Sequence, residues 1–342
     1  MSEHGTGNGS GGLKLTAKDF RTDQEVRWCP GCGDYAILAA MQAFMPELGI
    51  ERERTVFVSG IGCAARFPYY MNTYGMHSIH GRAPAIATGL AASRPDLSVW
   101  VVTGDGDALS IGGNHLIHSL RRNVNLKILL FNNKIYGLTK GQYSPTSELG
   151  MVTKSTPMGS LDFPFNPLSL AIGAEATFVA RAIDTDKKSI TEVLRAAAQH
   201  KGTAFVEIFQ NCPIFNDDAW EFVRDDKDGV NRIYLRSGEP IRWGVEMEKG
   251  LRQRADGSIE ICAGDDPNVL VHDSVHESAA LAFALSRVTQ DTHGGTPVGV
   301  FRNIVRPVYD ELMAEQLVTA TEKRGAGDLA ELLHSGETWT IS

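Results

Sequence analysis

Short apolar runs alternate with amphipathic stretches between residues 50 and 210. The runs are short and rich in β-branched residues, which favours strands that are buried on both faces. They cover residues 55–59, 98–103, 126–131, 177–180 and 204–208. Helical patterns lie at residues 35–44, 84–92, 114–121 and 190–200. This alternation predicts an α/β fold, namely a doubly wound parallel sheet with helices on both faces.

The remaining segments define the predicted organisation of the chain. Residues 140–167 contain four prolines and no clear period, and a loop of that length inside a compact domain is usually functional. Residues 217–264 are charged and irregular, while 269–272 predicts a strand and 277–287 and 306–320 predict helices. We therefore predict a disordered tail over 1–15, one α/β domain over 16–215 and an irregular C-terminal extension over 216–342 that contacts a partner.

Composition and charge exclude several classes of protein. Apolar residues make up 42% of the 342 residues, which excludes a wholly disordered or fibrous chain. A formal net charge of −8 gives no indication of binding to nucleic acid or to a membrane surface. No apolar run approaches the roughly 20 residues that span a bilayer. The N-terminus also lacks the apolar core of a secretory signal, so we expect a cytoplasmic protein.

Two polar motifs follow two of the predicted strands. Gly104-Asp105-Gly106-Asp107 follows the run at 98–103, and Asn132-Asn133 ends the run at 126–131. One crossover separates them, so Asp105 and Asn133 are expected at the same edge of the sheet. Their oxygens suit Mg²⁺, which takes further ligands from phosphates, and the glycines allow backbone N–H groups to approach a diphosphate. Either motif alone is typical of an ordinary turn, but the pair favours a binding site.

Five cysteines are too few for a disulfide scaffold. Cys29 and Cys32 form a CxxC motif, and Cys63 and Cys212 follow two predicted strands. Four converging thiolates at this edge suit Zn²⁺ or a [4Fe–4S] cluster. A thioredoxin-like role is disfavoured because no strand stands just before the CxxC, and unligated buried cysteines are the remaining alternative. Cys262, in the extension, is not assigned a role.

The motifs resemble those of a known family. The Gly-Asp-Gly-Asp and Asn-Asn pair resembles the thiamin diphosphate fingerprint of pyruvate decarboxylase, transketolase and dehydrogenase E1 enzymes. With the cysteine motifs, residues 20–215 resemble the β subunit of 2-oxoacid:ferredoxin oxidoreductases. The matching motifs are Trp28-Cys-Pro-Gly-Cys-Gly, Gly60-Ile-Gly-Cys, His77-Ser-Ile-His-Gly-Arg-Ala, Gly104-Asp-Gly-Asp and Asn132-Asn, followed by Ile135-Tyr-Gly-Leu-Thr.

The resemblance implies a fold of the thiamin diphosphate-binding type and a role for each matching position. It implies that Asp105, Asn133 and the backbone carbonyl of Ile135 hold Mg²⁺. It implies that one [4Fe–4S] cluster is bound by Cys29, Cys32, Cys63 and Cys212. The positions that it implies for cofactor contacts are Ile61, Gly62, Cys63, Ala64, His80, Gly104, Gly106, Asp107, Gly137 and Leu138.

The resemblance also implies an activity and partners. The activity is coenzyme A-dependent oxidative decarboxylation of a 2-oxoacid, with electrons passing through the cluster to ferredoxin. The activating Glu is expected on an α subunit in an α2β2 assembly, because no second α/β half follows Cys212. No catalytic residue is therefore assigned in this chain. Residues 154–162 resemble the 2-oxoglutarate enzymes, which form succinyl-CoA, and pyruvate or a branched-chain 2-oxoacid is the alternative substrate.

Two other classes of function are alternatives to this one. A non-oxidative thiamin diphosphate decarboxylase or synthase needs no cluster, so the four cysteines argue against it. A zinc-stabilised, non-catalytic scaffold needs no magnesium site, so the Asp105 and Asn133 pair argues against that. Iron content and magnesium-dependent binding of thiamin diphosphate distinguish these classes.

Overall fold

The computed structural model describes residues 15–226 and 228–341. The predicted tail over 1–15 lies almost wholly outside the described residues. The strands are β1 Thr55–Ser59, β2 Tyr74–His77, β3 Ser98–Gly104, β4 Lys127–Asn132, β5 Phe178–Ile183, β6 Ala204–Phe209, β7 Arg232–Leu235, β8 Arg242–Trp243, β9 Lys249–Gln253, β10 Ile259–Ala263 and β11 Thr296–Asn303. The helices are α1 Asp34–Phe44, α2 Phe67–Tyr70, α3 Ala83–Ser93, α4 Asp105–Leu109, α5 Gly113–Arg122, α6 Pro167–Gly173, α7 Lys187–Gln199, α8 Glu221–Arg224, α9 Ala280–Ser286, α10 Gln290–His293, α11 Tyr309–Arg324 and α12 Leu329–Leu333.

Eight strands form the main sheet, in the order β2-β1-β3-β4-β6-β5-β11-β7. Neighbouring strands of this sheet run parallel except β5 and β11, which are antiparallel. The five strands predicted from apolar runs are β1, β3, β4, β5 and β6, and they lie next to one another. Their side chains are buried on both faces because helices cover both sides of a sheet built from βαβ crossovers.

The two faces of the sheet carry separate apolar clusters. Alternate residues of β3 divide between them: Val99 and Val101 lie in one cluster, and Trp100 and Val102 in the other. Helices α1 and α7 supply residues to the cluster that contains Trp100, whereas α3, α5, α6 and α9 supply residues to the opposite one. Period-two alternation therefore anchors a helical layer on each face, and the predicted doubly wound α/β fold is confirmed.

The C-terminal extension is more regular than the sequence suggested. Strands β7 and β11 join the main sheet, and β8, β9 and β10 form a small antiparallel sheet. The prediction of a strand at 269–272 was wrong, since Val271 makes only an isolated bridge with Pro240. The division at residue 215 stays a prediction, although the main sheet contains strands from both sides of it.

Within the ranges 15–226 and 228–341, no helix combines the length and the apolar character that crossing a membrane requires.

Candidate functional site

The site lies at the carboxyl ends of β3, β4 and β6. Gly104 at the end of β3 pairs with Phe131, and Asn132 at the end of β4 pairs with Phe209. Asp105 follows β3 directly and begins α4. The two polar motifs therefore reach the same edge, where ligands collect in open α/β sheets.

Two hydroxyl groups orient the buried carboxylate of Asp105. Ser144 Oγ donates to Asp105 Oδ2 at 2.5 Å, and Thr146 Oγ1 lies 2.6 Å from the same oxygen. Burial raises the pKa of Asp105 to about 6, while the two hydroxyls act in the opposite direction. Both hydroxyls belong to the long loop after β4, which the sequence predicted to be functional. The loop thus favours the charged carboxylate that a cation would bind.

The backbone after β4 is held in an unusual conformation. Lys134 has a φ of +56°, in the left-handed region that non-glycine residues seldom adopt. Asn216 Nδ2 donates to the Asn133 carbonyl at 2.9 Å, and Ser147 Oγ donates to the Lys134 carbonyl at 2.5 Å. These contacts fix the turn that brings Asn133 and Ile135 to the cleft, and such fixed local strain is common at functional sites.

A cleft at this edge brings together most of the predicted positions. Of those, the lining includes Ile61, Gly62, Cys63, Ala64, Gly104, Asp105, Gly106, Asp107, Asn133, Ile135 and Gly137. His80 and Leu138 were predicted to contact the cofactor but do not line the cleft. Sequence reasoning missed four residues of the lining, namely Asp34, Phe131, Tyr136 and Gln210.

Asp107 lines the cleft, but its carboxylate is hydrogen-bonded to other groups of the protein. Oδ1 accepts hydrogen bonds from the backbone N–H groups of Ile61 at 3.1 Å and Gly81 at 2.7 Å. Thr103 Oγ1 donates to Oδ2 at 2.7 Å, and His80 Nδ1 lies 2.7 Å from Oδ1. The carboxylate therefore ties the loops after β1 and β2 to the end of β3, and it orients the His80 ring.

The close approach of the Tyr136 ring to the backbone explains why residue 106 is a glycine. A Cβ atom added there would lie 2.2 Å from the ring of Tyr136, whose hydroxyl donates to the Gly106 carbonyl at 2.9 Å. Gly62 has a φ of +138°, which an L side chain rarely adopts. The cleft is thus lined by backbone at two of the glycines predicted to contact the cofactor.

Four cysteines converge beside this cleft. Burial raises the pKa of the Cys63 thiol to about 12, and negative charge on Asp34, Cys212 and Cys29 would raise it further. Burial also raises the pKa of Cys32, again with contributions from Cys63 and Cys212. Cys29, Cys32, Cys63 and Cys212 are thus near enough for charge on one to affect the pKa of another, whereas Cys262 lies on β10 in the small sheet.

The surroundings of Cys212 act on the pKa of its thiol in opposite directions. Burial raises the pKa of its thiol, but the backbone N–H groups of Phe215, Ile214 and Asn216 act in the opposite direction. A Cβ atom on Gly137 would lie 3.5 Å from the Cys63 sulfur and 3.6 Å from the Cys212 sulfur. Backbone amides thus hydrogen-bond the Cys212 sulfur, and Gly137 leaves space beside the sulfurs of Cys63 and Cys212, both of which suit ligands of a metal cluster.

The cysteines are not gathered around a point. Within residues 15–226 and 228–341, no three His, Cys, Asp or Glu side chains are close enough to hold one metal ion. A tetrahedral zinc ion would need its ligands about 2.3 Å from a common centre. The ligands of a four-iron cluster surround a larger group than a single ion, and four thiols match its usual ligand count.

Two buried side chains in the cleft have oxygen atoms that accept no hydrogen bond from any described residue. Asp34 is 1% exposed, and both of its carboxylate oxygens are of this kind. Burial raises the pKa of Asp34 to about 7. Gln210 is also 1% exposed, and its Oε1 has no partner. Buried polar atoms are normally paired, so a cleft with two such residues fits an additional polar group.

A chain of buried polar contacts connects the site to the rest of the sheet. Asn132 Oδ1 lies 2.9 Å from Thr146 Oγ1, and Asn132 Nδ2 donates to Glu207 Oε1 at 2.8 Å. Glu207 Oε2 accepts from Arg181 Nε at 2.7 Å, and Arg181 Nη1 donates to the Pro297 carbonyl on β11 at 3.2 Å. The extension is therefore joined to the site around Asp105 through β5, β6 and β4.

Comparison with known proteins gives one consistent family. Residues 60–208 match the thiamine pyrophosphate enzyme, C-terminal TPP binding domain. The chain is 60% identical over 329 residues to the 2-oxoglutarate oxidoreductase subunit KorB of Mycobacterium tuberculosis, covering 95% of this chain and 88% of that protein. It is 39% identical to the 2-oxoacid:ferredoxin oxidoreductase 1, subunit beta, of Aeropyrum pernix, with 87% and 84% covered.

A solved structure agrees with these relatives. The 2-oxoglutarate:ferredoxin oxidoreductase from Magnetococcus marinus, with 2-oxoglutarate, coenzyme A and succinyl-CoA bound, is 34% identical. The match has a TM-score of 0.76 and covers 96% of this chain and 98% of that chain. The resemblance found in the sequence motifs is thus confirmed over nearly the whole chain. The chain belongs to the β-subunit family of the 2-oxoacid:ferredoxin oxidoreductases, and its central domain is of the thiamine pyrophosphate-binding type.

Proposed function

We propose that this chain is the β subunit of a 2-oxoglutarate:ferredoxin oxidoreductase. The proposed reaction is the coenzyme A-dependent oxidative decarboxylation of 2-oxoglutarate to succinyl-CoA and CO₂, reversible in principle. One observation carries it: Cys63 lines the same cleft as Asp105, Gly106 and Asn133, so a thiamin-type site and a cysteine site adjoin. The substrate named for the M. tuberculosis and M. marinus relatives supports 2-oxoglutarate.

The proposal assigns a role to each predicted position. Mg²⁺ would be held by Asp105, Asn133 and the Ile135 carbonyl, and a [4Fe–4S] cluster by Cys29, Cys32, Cys63 and Cys212. Residues in contact with thiamin diphosphate would be Ile61, Gly62, Cys63, Ala64, Gly104, Gly106 and Gly137, which line the cleft. His80 and Asp107 would position the loops around it, and Leu138 would make a peripheral contact.

Thiamin diphosphate, when bound, supplies an electron sink for the loss of CO₂. The chain's own residues bind and orient it. Glycine backbone and the start of α4 favour the negative diphosphate, and Ser144 and Thr146 keep the Asp105 carboxylate aimed and charged. Cys63 lines the cleft, so a cluster that it helped to hold would lie beside the cofactor and could accept electrons there. No group in this chain is assigned to proton transfer at the cofactor.

The proposal includes partners and a location. An α subunit, in an α2β2 assembly, would supply the activating Glu and much of the substrate pocket, and ferredoxin would accept the electrons. Residues 16–215 would carry the cofactors, and residues 216–342 would provide subunit contacts. A cytoplasmic location belongs to the proposal because cluster ligands must stay reduced, and the described cysteines form no disulfide.

The test is made on the anaerobically purified complex of this chain with its partner subunit. We expect about four irons and four sulfides per β chain, a reduced-cluster EPR signal and ferredoxin reduction with 2-oxoglutarate and coenzyme A. Cys212→Ser should lose the cluster, and Cys262→Ser, in the small sheet, should keep it. Preference for pyruvate or a branched-chain 2-oxoacid would overturn the substrate, and iron-free active protein would favour a non-oxidative thiamin enzyme.

A further inference from the structure

The Gln210 side chain lies between the cleft and the cysteines. Gln210 follows β6, and its backbone N–H donates to the Asn132 carbonyl at 3.0 Å. Its side chain is almost wholly buried and lines the cleft together with Asp105 and Cys63. The register of β4 and β6 therefore fixes where this amide lies relative to both parts of the site.

The contacts of Gln210 orient its amide group. Nε2 donates to the backbone carbonyl of Asn211 at 2.6 Å and to Cys32 Sγ at 3.2 Å. Reversing the amide would place Oε1 against the Asn211 carbonyl, and two acceptors at that distance repel each other. The amide N–H therefore faces the sulfur. Among the described residues, no other side chain donates a hydrogen bond to a cysteine sulfur.

The neighbouring charges make this hydrogen bond significant. A thiolate that binds iron carries negative charge, and the cluster becomes more negative when it is reduced. An N–H group aimed at the sulfur favours the reduced state. Burial strengthens this effect.

We propose that Gln210 is a positioning residue that raises the reduction potential of a cluster bound through Cys32. This inference rests on the proposed function, because it needs the cluster. The hydrogen bond makes acceptance of an electron from the cleft more favourable and its release to ferredoxin correspondingly less favourable. Gln210 would thus affect both the transfer of electrons to the cluster and their transfer to ferredoxin, without contacting the substrate.

The first test replaces Gln210 in the complete complex with its partner subunit. Gln210→Met keeps an unbranched side chain of similar length and removes the donor. In an EPR-monitored redox titration we expect the midpoint potential to become more negative. The reduction equilibrium should change by up to about tenfold, which is 59 mV for one electron. The control is Gln199→Met, at an exposed position at the end of α7.

An unchanged midpoint potential in Gln210→Met with full iron content would overturn the inference. Absence of iron from the wild-type complex would overturn the proposed function instead, so the two failures are distinguishable. A second measurement does not depend on the variant folding. With glutamine labelled with ¹⁵N in its side chain, electron spin-echo spectra of the reduced wild-type cluster should show coupling to ¹⁵N. No such coupling would also overturn the inference.

Discussion

Asp105 and Asp107 are two residues apart in the sequence, and their carboxylates have different roles. The carboxylate of Asp105 accepts from hydroxyls of the loop after β4 and faces the cleft. The carboxylate of Asp107 accepts from two backbone N–H groups and a threonine, so its bonding capacity is used within the protein. Of these two carboxylates, that of Asp105 is therefore the one available to bind a metal ion. Asp107 supports the loops that shape the cleft.

Gly106 should tolerate no side chain. In Gly106→Ala, the added Cβ would lie 2.2 Å from the Tyr136 ring, so the ring or the backbone must move into the cleft. Overpacking of this kind costs roughly 1–3 kcal/mol, which corresponds to roughly 5- to 160-fold weaker binding. Calorimetric titration of the complex with thiamin diphosphate and Mg²⁺ measures the change.

The matched control for that variant is Gly89→Ala in α3, where an added Cβ meets nothing within 4 Å. It should bind normally and gain about 0.5–1 kcal/mol of stability, since alanine is the better helix former. Equal binding by the two variants would contradict the close approach of backbone to cofactor at Gly106.

Thr146→Val should weaken Mg²⁺ binding in a pH-dependent way. Loss of a hydrogen-bond partner to a ligand typically costs 10–100-fold in metal affinity. Burial already raises the pKa of Asp105 to about 6, and removing a hydroxyl that favours the charged form raises it further. A protonated carboxyl binds no cation, so the deficit should be larger at pH 6 than at pH 8.

The readout is the Mg²⁺ concentration that gives half-maximal binding of thiamin diphosphate. Thr319→Val, on the exposed surface of α11, is the control and should behave as wild type. A deficit that is the same at both pH values would show that Thr146 does not act through the charge of Asp105.

At the scale of elements, the central strands are linked by a buried ion pair as well as by backbone hydrogen bonds. Arg181 on β5 is the register partner of Glu207 on β6, and both side chains are almost fully buried. Glu207 also accepts from Asn132 at the end of β4. The alignment of three neighbouring strands is thereby coupled to the position of the asparagine next to the site.

Arg181→Met should destabilise the chain strongly. It leaves the Glu207 carboxylate buried without its partner, and breaking such a pair by removing one side costs about 3–5 kcal/mol. Arg94→Met is the control, because its ion pair with Asp96 is exposed and such pairs are worth about 0–1 kcal/mol. Thermal unfolding of the two variants should differ by several degrees, and similar melting temperatures would argue against a stabilising role for the buried pair.

The predictability of each element follows from its environment. Strands β1 and β3 to β6 were predicted because burial on both faces requires continuous apolar residues. Strand β11 was missed because Pro297, Gly299 and Arg302 interrupt its run, and β2 was missed because it is exposed. Asp105 and Asn133 follow predictable strands. Asp34 and Gln210 carry no signal in sequence, since only tertiary packing shows that they are buried and lack partners.

On the scale of the whole molecule, the sheet is completed by the last part of the chain. Strand β5 lies between β6 and β11, so residues before and after position 215 share one sheet. Beyond α11's first turn, the described residues are almost entirely exposed. The extension therefore has two parts, one that finishes the fold and one that is free to contact another subunit.

Two truncations should separate these parts. A chain ending at residue 215 lacks β7 and β11, leaves β5 as an unpaired edge and should yield little soluble protein. A chain ending at residue 324 keeps the whole sheet and should unfold cooperatively, as wild type does. The measurement is soluble yield and calorimetric unfolding after coexpression with the partner subunit. Cooperative unfolding of the 215-residue chain would establish residues 16–215 as an independent domain.

Because β11 is late in the sequence, the main sheet cannot be completed until well after β6 has been synthesised. Eighty-six residues lie between Phe209, which ends β6, and Thr296, which begins β11. At about 5–20 residues per second, their synthesis takes roughly 4–17 s. Once Asn216 has been added, the residues of the cofactor edge have all been synthesised, but β5 still lacks its partner strand β11 and Arg181 still lacks the Pro297 carbonyl. Synthesis of the cofactor edge and closure of the sheet are thus separate in time, and the nascent chain needs protection from pairing with other chains until its C-terminal strands emerge.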